Sequence, residues 1–231
     1  MATEKTPAAV STTVDRAGAL LRLLAQNPQG IGISRLTREL GTQRAPLYRI
    51  LQALAGHGLV RRDERKQYLL GVTTLELARA YTSQFPAGME AQLGLLADEV
   101  GMTVALVSFD GETMTTVISK TPSASGEYVV TPPGFRHPAG PLSMRIAVDA
   151  MQPPSDDDSD EVREARRLGY AIGRGEVVAS RYGVSAVVPG SGLSGAVLVL
   201  TLVSLHDFDH AALAGPLLRT AQTISHWVGR E

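Results

Sequence analysis

Gly41-Thr-Gln-Arg-Ala-Pro-Leu-Tyr-Arg-Ile-Leu-Gln-Ala-Leu-Ala-Gly-His-Gly58 is the stretch that decides the fold of the N-terminal part of the chain. Leu47, Ile50, Leu51 and Leu54 recur at helical spacing, which predicts a helix with one buried face that ends at Gly56-His57-Gly58. The opposite face carries arginine, glutamine and tyrosine. Such a helix has the form expected of one that packs on a small core and turns a polar, cationic face outward.

The segments on either side complete the pattern of a winged helix-turn-helix. Two shorter helices are predicted at 14–25 and 33–40, and the second stops at Gly41, a residue that can take the left-handed conformation of a tight turn. After the central helix, two short strands at 59–60 and 68–70 are predicted around a charged tip. In this arrangement one helix enters the major groove and the wing reaches a phosphate strand.

The polar side chains of this segment are those that protein–DNA interfaces use. Arginine can bind guanine, and glutamine can bind adenine, through two hydrogen bonds, while arginine or a tyrosine hydroxyl can hold phosphate. We assign base reading chiefly to Gln43, Arg44 and Tyr48, whereas Arg49 is either a phosphate clamp or part of an intradomain salt bridge. The predicted DNA-binding residues are Gln43, Arg44, Ala45, Tyr48, Arg49, Arg61, Arg62, Arg65 and Lys66.

Charge is distributed unevenly along the 231 residues, although the net charge is only -1. Residues 1–80 contain 12 Lys and Arg against 6 Asp and Glu, and residues 81–231 contain 10 against 17. A basic front third on an acidic remainder indicates a polyanion-binding module joined to a part that does not bind polyanions. Chance clustering of charges on solvated faces is the alternative.

The composition excludes several classes of protein. Hydrophobic residues make up 44% and charged residues 19%, which is typical of globular domains. The absence of cysteine excludes disulfides, thiolate catalysis and thiolate metal sites. No apolar run approaches the ~18 residues that span a bilayer, and the polar N-terminus lacks the form of a signal peptide. We therefore expect a cytoplasmic protein.

The second half predicts an α/β unit with antiparallel strands. The apolar runs at 102–109 and 114–120 flank Asp110-Gly-Glu112, which is a hairpin signal. Asp207 is predicted to cap the closing helix. Further strands are predicted at 127–131, 170–172, 184–188 and 196–203, and helices at 89–100, 141–151, 161–168 and 211–228.

The candidate catalytic and metal motifs are weak, so we expect no enzyme activity, no catalytic residue, no metal and no cofactor. Gly190-Ser-Gly-Leu-Ser-Gly195 fits neither a phosphate loop nor a nucleophile elbow, and a hairpin turn is favoured there. His206 and His210 are spaced to hold zinc on a helix face, but the start of a helix favours a structural role. The acidic loop at 156–160 lacks the calcium-loop pattern.

The chain resembles the IclR family of bacterial transcriptional regulators over about residues 14–228. In the first half the resemblance rests on Gly30-Ile-Gly-Ile-Ser-Arg-Leu36, the turn and helix at 41–54, Tyr68-Leu-Leu-Gly71 and Leu75-Glu-Leu77. In the second half it rests on Gly134-Phe-Arg-His-Pro138, Arg167-Leu-Gly-Tyr-Ala171, Gly175-Glu176 and Ser185-Ala-Val-Val-Pro189, which occur in the family's order.

The resemblance implies an α+β fold with an N-terminal winged helix-turn-helix domain, a linker helix and a C-terminal GAF-like α/β effector domain. On this basis we divide the chain into a disordered arm at 1–13, a DNA-binding domain at 14–71, a linker helix and hinge at 72–88, and an effector-binding and oligomerisation domain at 89–231. The implied function is a sequence-specific transcriptional regulator, and specifically a repressor. Its partners would be double-stranded operator DNA, a small-molecule effector and further copies of itself in a homodimer or homotetramer.

The resemblance also places an effector site in the second domain. The matching positions are Ser143 and Met144 in a loop, then Gly173, Ser185, Thr201 and Val203. Family members that bind small carboxylates carry Asp, Cys and two Ser where this chain has the last four. The loss of polar partners favours a larger or less polar ligand, or an altered or empty site. The short 152–160 segment favours a more open pocket, and plain core packing is the alternative.

Two other functions remain open from the sequence. One is a small-molecule-binding GAF-like protein or enzyme whose winged helix makes protein contacts. The other is a non-specific DNA-binding protein.

Overall fold

The computed structural model describes residues 12–174, 182–193 and 196–228. The chain divides into two compact units, Met1–Thr82 and Ser83–Glu231. Residues 1–11 of the predicted arm, the Gly175-Glu176 motif and residues 194–195 of the predicted hairpin turn lie outside the described residues. No described helix is long and apolar enough to cross a bilayer.

The first unit is a winged helix-turn-helix followed by one more helix. Its first helix begins at Thr12, so Thr12 and Thr13 are helical rather than part of the predicted arm. The order of elements is α1 Thr12–Ala25, α2 Ile33–Glu39, α3 Arg44–Gly56, β1 Val60–Arg62, β2 Tyr68–Leu70 and α4 Thr73–Thr82.

One apolar core joins the three helices to the wing. Of the predicted stripe on α3, Leu47, Ile50 and Leu51 are buried and Leu54 is partly buried; the core also includes Leu36 from α2 and Tyr68 from β2. Ile31 and Tyr68 exchange two backbone hydrogen bonds of 3.0 and 3.1 Å, so the segment before α2 pairs with the edge of the wing. The fully assembled core comprises Leu20, Leu24, Ile31, Leu36, Leu47, Ile50, Leu51, Val60 and Tyr68.

Two backbone segments, residues 58–59 and 71–73, pass close to each other where the wing ends. The Gly71 amide donates to the Leu59 carbonyl oxygen at 2.8 Å, and the Thr73 amide donates to the Gly58 carbonyl oxygen at 3.3 Å. A Cβ built on Gly71 would lie 1.9 Å from the Gly58 carbonyl oxygen. Because that atom belongs to the backbone, no side chain fits at Gly71 without moving one of the two segments.

The second unit is a five-stranded antiparallel sheet covered on both faces by helices, so the predicted α+β class is confirmed. The strand order is β4-β3-β7-β6-β5. The elements are α5 Met89–Val100, β3 Thr103–Phe109, β4 Met114–Lys120, α6 Ser143–Asp149, α7 Asp160–Leu168, β5 Ala171–Arg174, β6 Tyr182–Leu193, β7 Ala196–Ser204 and α8 His210–Val228.

Side chains alternate between the two faces of this sheet, as the strand pleat requires. On one face Leu198, Leu200 and Leu202 of β7 pack with α5 and α8. On the other face Val199 packs with α6, and Thr201 follows it two residues later. The second face contains all four strand positions predicted for the effector site.

Four details of the second unit differ from the sequence prediction. Residues 127–131 form no strand; instead the Val129 carbonyl oxygen accepts a hydrogen bond of 2.7 Å from the Thr103 hydroxyl. The β6 strand continues to Leu193 rather than stopping at Val188.

The first turn of α8 is capped by Asp209, not Asp207, because the Asp209 Oδ1 accepts from the amides of residues 211 and 212 at 3.0 and 3.4 Å. Ser143 and Met144 open α6 and are not in a loop.

Candidate DNA interface and effector site

The outward face of α3 is polar and exposed. Leu47, Ile50 and Leu51 are buried, and Ala45 and Arg49 lie on the opposite side of the helix. Gln43 is the N-cap residue, and its side chain makes no capping hydrogen bond. The side chain is therefore available at the helix N-terminus, where recognition helices contact bases.

Arg44 and Tyr48 flank this face on the side of α2. The Arg44 Nη2 donates to the Ser34 hydroxyl at 3.0 Å, which ties the start of α3 to α2 and orients the guanidinium. Tyr48 is 43% exposed. Sequence reasoning missed Ser34, because only the packing of α2 against α3 brings these two residues together.

Arg49 lies on the other flank of α3, toward α1. Within the described residues it forms no ion pair, so the intradomain salt bridge that the sequence left open is not found there. The phosphate-clamp interpretation of Arg49 remains.

The wing presents its cations on a tight turn. The Asp63 side chain accepts from the Gln67 amide at 2.7 Å, and the Lys66 amide donates to the Asp63 carbonyl oxygen at 3.0 Å. The Arg62 guanidinium lies over the Tyr68 ring, 5.4 Å from its centroid. Arg61 and Arg65 are exposed, so the four predicted wing cations share one short hairpin.

Lys66 is held in a strained backbone conformation, with a φ of 63°. Left-handed backbone costs about 1 kcal/mol for a residue that has a side chain. We expect Lys66→Gly to stabilise the wing by up to about 1 kcal/mol in thermal unfolding. The same change should weaken DNA binding, because one phosphate contact is lost.

Arg65→Gln is the matched control for this prediction, since it removes a neighbouring cation and leaves the strained residue in place. It should weaken DNA binding without a gain in stability. If Lys66→Gly raised the melting temperature and left DNA affinity unchanged, the lysine would not contact DNA.

The effector-site positions in the second unit converge around the first residue of α6. Ser143 lies against Gly173 of β5 and Gly183 of β6, which are cross-strand partners. A Cβ built on Gly173 would be 3.2 Å from the Ser143 amide nitrogen, and one built on Gly183 would be 2.9 Å from its hydroxyl. The two glycines thus form a notch that admits Ser143. The role of Gly183 depends on strand register, which the sequence pattern did not define.

The Ser143 hydroxyl meets two further buried hydroxyls at this notch, those of Ser185 and Thr201. The Ser185 hydroxyl donates to the Thr201 hydroxyl at 2.8 Å, and the Ser143 and Ser185 hydroxyl oxygens are 2.8 Å apart. The Thr201 hydroxyl lies 3.5 Å from the Leu202 carbonyl oxygen. Among the described residues, these three hydroxyls have no charged hydrogen-bond partner.

The remaining two effector-site positions are placed differently. Val203 is half-buried on the same sheet face and pairs with Gly183 in the adjacent strand. Met144 is 5% exposed and packs with a separate apolar group that includes Phe109 and Met114. The structure therefore brings together Ser143, Gly173, Ser185 and Thr201, and Val203 lies on the same cross-strand row as Gly173.

The short segment between α6 and α7 is held in place by hydrogen bonds from Arg166. Its guanidinium donates to the carbonyl oxygens of Ala150 and Gln152, each at 3.2 Å, and to the Asp158 carboxylate at 2.8 Å. Backbone hydrogen bonding from Ser155, and then the bond from Arg166, lowers the pKa of Asp158. A cavity of about 210 Å³ beside this segment is lined by Ala147, Ala150, Met151, Ala165, Arg166, Gly169, Tyr170, Val187 and Pro189.

The candidate metal motifs are not assembled in the part of the chain that the structure describes, where no three His, Asp or Glu side chains form a group able to hold a metal ion. His210 instead places its Nδ1 3.1 Å from the Tyr170 hydroxyl.

Comparison with known proteins agrees with this architecture. Residues 13–64 match the IclR helix-turn-helix domain. The chain is 28% identical over 239 aligned positions to the HTH-type transcriptional regulator Rv1719 of Mycobacterium tuberculosis, covering 93% of this chain and 91% of that one. An IclR transcriptional regulator from Alicyclobacillus acidocaldarius shares the fold, with a TM-score of 0.80, 20% identity, and coverage of 95% and 100% of the two chains.

A further structural neighbour was solved with a ligand. It is an IclR homologue from Microbacterium hydrocarbonoxydans in complex with 4-hydroxybenzoate, with a TM-score of 0.74 and 13% identity over 95% of this chain and all of that one.

The chain has a winged helix with an exposed cationic face, joined to an antiparallel α/β unit. Together with the matched domain, these features place it in the class of DNA-binding transcriptional regulators. Residues 13–64 form an IclR helix-turn-helix domain, and the resemblance to IclR regulators noted in the sequence is confirmed. The members that it matches are regulators and not enzymes.

Proposed function

We propose that this protein is a repressor that recognises a specific operator in the cytoplasm through α3 and the wing. The proposal is supported by the exposed face of α3, where Gln43 and Tyr48 flank the oriented guanidinium of Arg44. A recognition helix reads base edges with its N-terminal residues while cations beside it position the protein on phosphates. The wing supplies those cations at 61, 62, 65 and 66.

We further propose that the protein binds as a dimer, with α4 as both linker helix and dimer contact. This ten-residue helix has no buried residue, and Leu75 and Leu77 are 70% and 58% exposed. Val72 before it and Tyr81 near its end are 73% and 45% exposed. A second copy would cover these exposed apolar side chains and set two recognition helices on a two-fold symmetric operator.

The dimer proposal predicts that Leu75→Glu gives monomers in sedimentation and binds the operator much more weakly, because a carboxylate would be buried in the contact. Leu95→Glu, at an exposed leucine of α5, is the control and should leave the dimer intact. An unchanged dimer in Leu75→Glu would place the contact elsewhere.

For the effector, we propose an uncharged ligand beside Ser143, the residue that occupies the notch formed by Gly173 and Gly183. The support is the set of three hydroxyls of Ser143, Ser185 and Thr201, which offers hydrogen bonds without a described cation among its partners. A buried carboxylate without a cation or several donors would raise the free energy of the complex. An amide, ketone or alcohol would bind there at lower cost.

Paired probes test the charge preference. We expect members of a panel of small aromatic amides, such as 4-hydroxybenzamide, to raise the melting temperature and weaken operator binding more than their matched carboxylates. Thr201→Val keeps the shape of the side chain and removes the hydroxyl, so it should reduce the response to the amides. Preference for the carboxylates would contradict the neutral-ligand proposal, and silence of the whole panel would favour a site that is simply core.

The ligand would act by changing the balance between DNA-competent and incompetent arrangements of the protein. It can shift that balance only through its different affinities for the two arrangements. The effect of ligand on operator affinity must therefore equal the effect of operator on ligand affinity, which titrations in both directions can measure.

A further inference from the structure

The described residues that line a groove between α1 and α3 include two arginines and no carboxylate. Its volume is about 400 Å³, and most of its wall is apolar or small. Asp15, the residue before Arg16, does not line it. The lining residues are Thr13, Val14, Arg16, Ala17, Pro46, Arg49, Ile50, Ala53 and Leu54.

Among the residues of this wall that the structure describes, Arg16 and Arg49 are the only charged ones. Both are exposed, and within the described residues neither forms an ion pair or a hydrogen bond with another group. Two unpaired guanidiniums on adjacent helices produce a local positive potential that neighbouring side chains do not neutralise. The groove thus favours an anion with oxygens that accept from arginine.

The position of Arg49 on α3 indicates which anion this is. It lies between the outward residue Gln52 and Ala53, which lines the groove, so it faces away from the α2 flank that carries Arg44. A helix about 10–12 Å across fills the major groove, which is about 12 Å wide, so its flanks meet the two phosphate strands. The α1 flank then lies beside one of these strands.

We propose that Arg16 and Arg49 together form a phosphate clamp at the mouth of the α1–α3 groove, which extends the DNA interface to α1. The clamp contacts the DNA backbone and carries no sequence information. This inference rests on the proposed docking of α3 in the major groove. It assigns Arg16 a binding role and gives Arg49 the phosphate role rather than the salt bridge.

The test is the salt dependence of DNA binding by the full chain. A duplex selected by the wild-type protein from a randomised pool and a scrambled duplex of the same length are the two probes. Arg16→Gln and Arg49→Gln should each reduce the slope of log K against log [KCl] by about 0.9 for each bound chain. The double variant should reduce it by about 1.8. Both duplexes should weaken by the same factor.

Arg22→Gln is the control, because Arg22 is an exposed arginine of α1 that does not line the groove. Its slope should equal that of the wild type. An unchanged slope in Arg16→Gln would overturn the clamp, and a loss restricted to the selected duplex would make Arg16 a base contact. Altered sedimentation with an unchanged slope would assign the groove to a protein contact instead. Failure of the proposed operator recognition would give a different result from failure of the clamp, since the wild type would then not prefer the selected duplex.

Discussion

Gly71→Ala is expected to abolish DNA binding and to destabilise the N-terminal unit by about 3 kcal/mol. The added methyl would lie 1.9 Å from the Gly58 carbonyl oxygen, so two backbone segments must separate. Their separation breaks the 2.8 Å hydrogen bond from Gly71 to Leu59 and displaces the wing from the end of α3. A loss of this size is a large share of the stability of a small domain.

Thermal unfolding followed by circular dichroism measures this effect, and Gly56→Ala is the matched control. A Cβ on Gly56 meets no atom within 4 Å, and alanine favours a helix over glycine by up to about 1 kcal/mol. The control should therefore melt at or above the wild-type temperature and bind DNA normally. Equal melting temperatures for Gly71→Ala and the wild type would show that the wing does not need the close crossing.

Arg44→Ala is expected to remove most of the discrimination between the selected duplex and random DNA. One bidentate arginine–guanine contact contributes about 1–3 kcal/mol to discrimination against the wrong base, which corresponds to roughly 5–150-fold in relative affinity. Arg44 is placed for this role because Ser34 holds its guanidinium at the start of α3. Binding to random DNA should fall much less, because the wing cations still contact phosphates.

Ser34→Ala separates the effect of orienting the Arg44 guanidinium from the effect of its contact with a base. It removes the 3.0 Å hydrogen bond and keeps the guanidinium, so its loss of discrimination should be smaller than that of Arg44→Ala. If Arg44→Ala weakened binding to both duplexes by the same factor, Arg44 would be a phosphate contact and base reading would belong to Gln43 and Tyr48.

The N-terminal fold could be predicted from the sequence because its signals are local. The spacing of Leu47, Ile50 and Leu51 defines the buried face of α3, and Gly41 marks the turn before it. The wing follows from two short apolar strands around a charged tip. None of these inferences needed knowledge of a distant contact.

The errors in the second unit concern features that the residue types of a segment do not decide by themselves. Residues 127–131 have the composition of a strand, but they pair with no neighbouring strand. They are joined to the sheet by the hydrogen bond from the Thr103 hydroxyl to the Val129 carbonyl oxygen. Asp207 and Asp209 are equally suited to cap a helix, and only the starting point of α8 selects Asp209. Likewise, β6 continues past Gly190 because β7 offers it partners as far as Ala196.

The candidate sites likewise combine residues that could be predicted from the sequence with residues that could not. The family resemblance indicated Ser143, Gly173, Ser185 and Thr201, which the fold brings together. It did not indicate Gly183, whose importance arises from its pairing with Gly173 across two strands. Arg16 was also missed, since an arginine on an amphipathic helix carries no sign of which groove it will line.

The affinity ratio between a selected duplex and random DNA tests the central claim most directly. The wild-type protein should select, from a randomised pool, a pseudo-palindrome with half-sites about one helical turn, ~34 Å, apart. It should bind that duplex at least about 10³-fold more tightly than a scrambled one at physiological salt. Failure to enrich any sequence, or equal affinity for both duplexes, would contradict an operator-specific regulator.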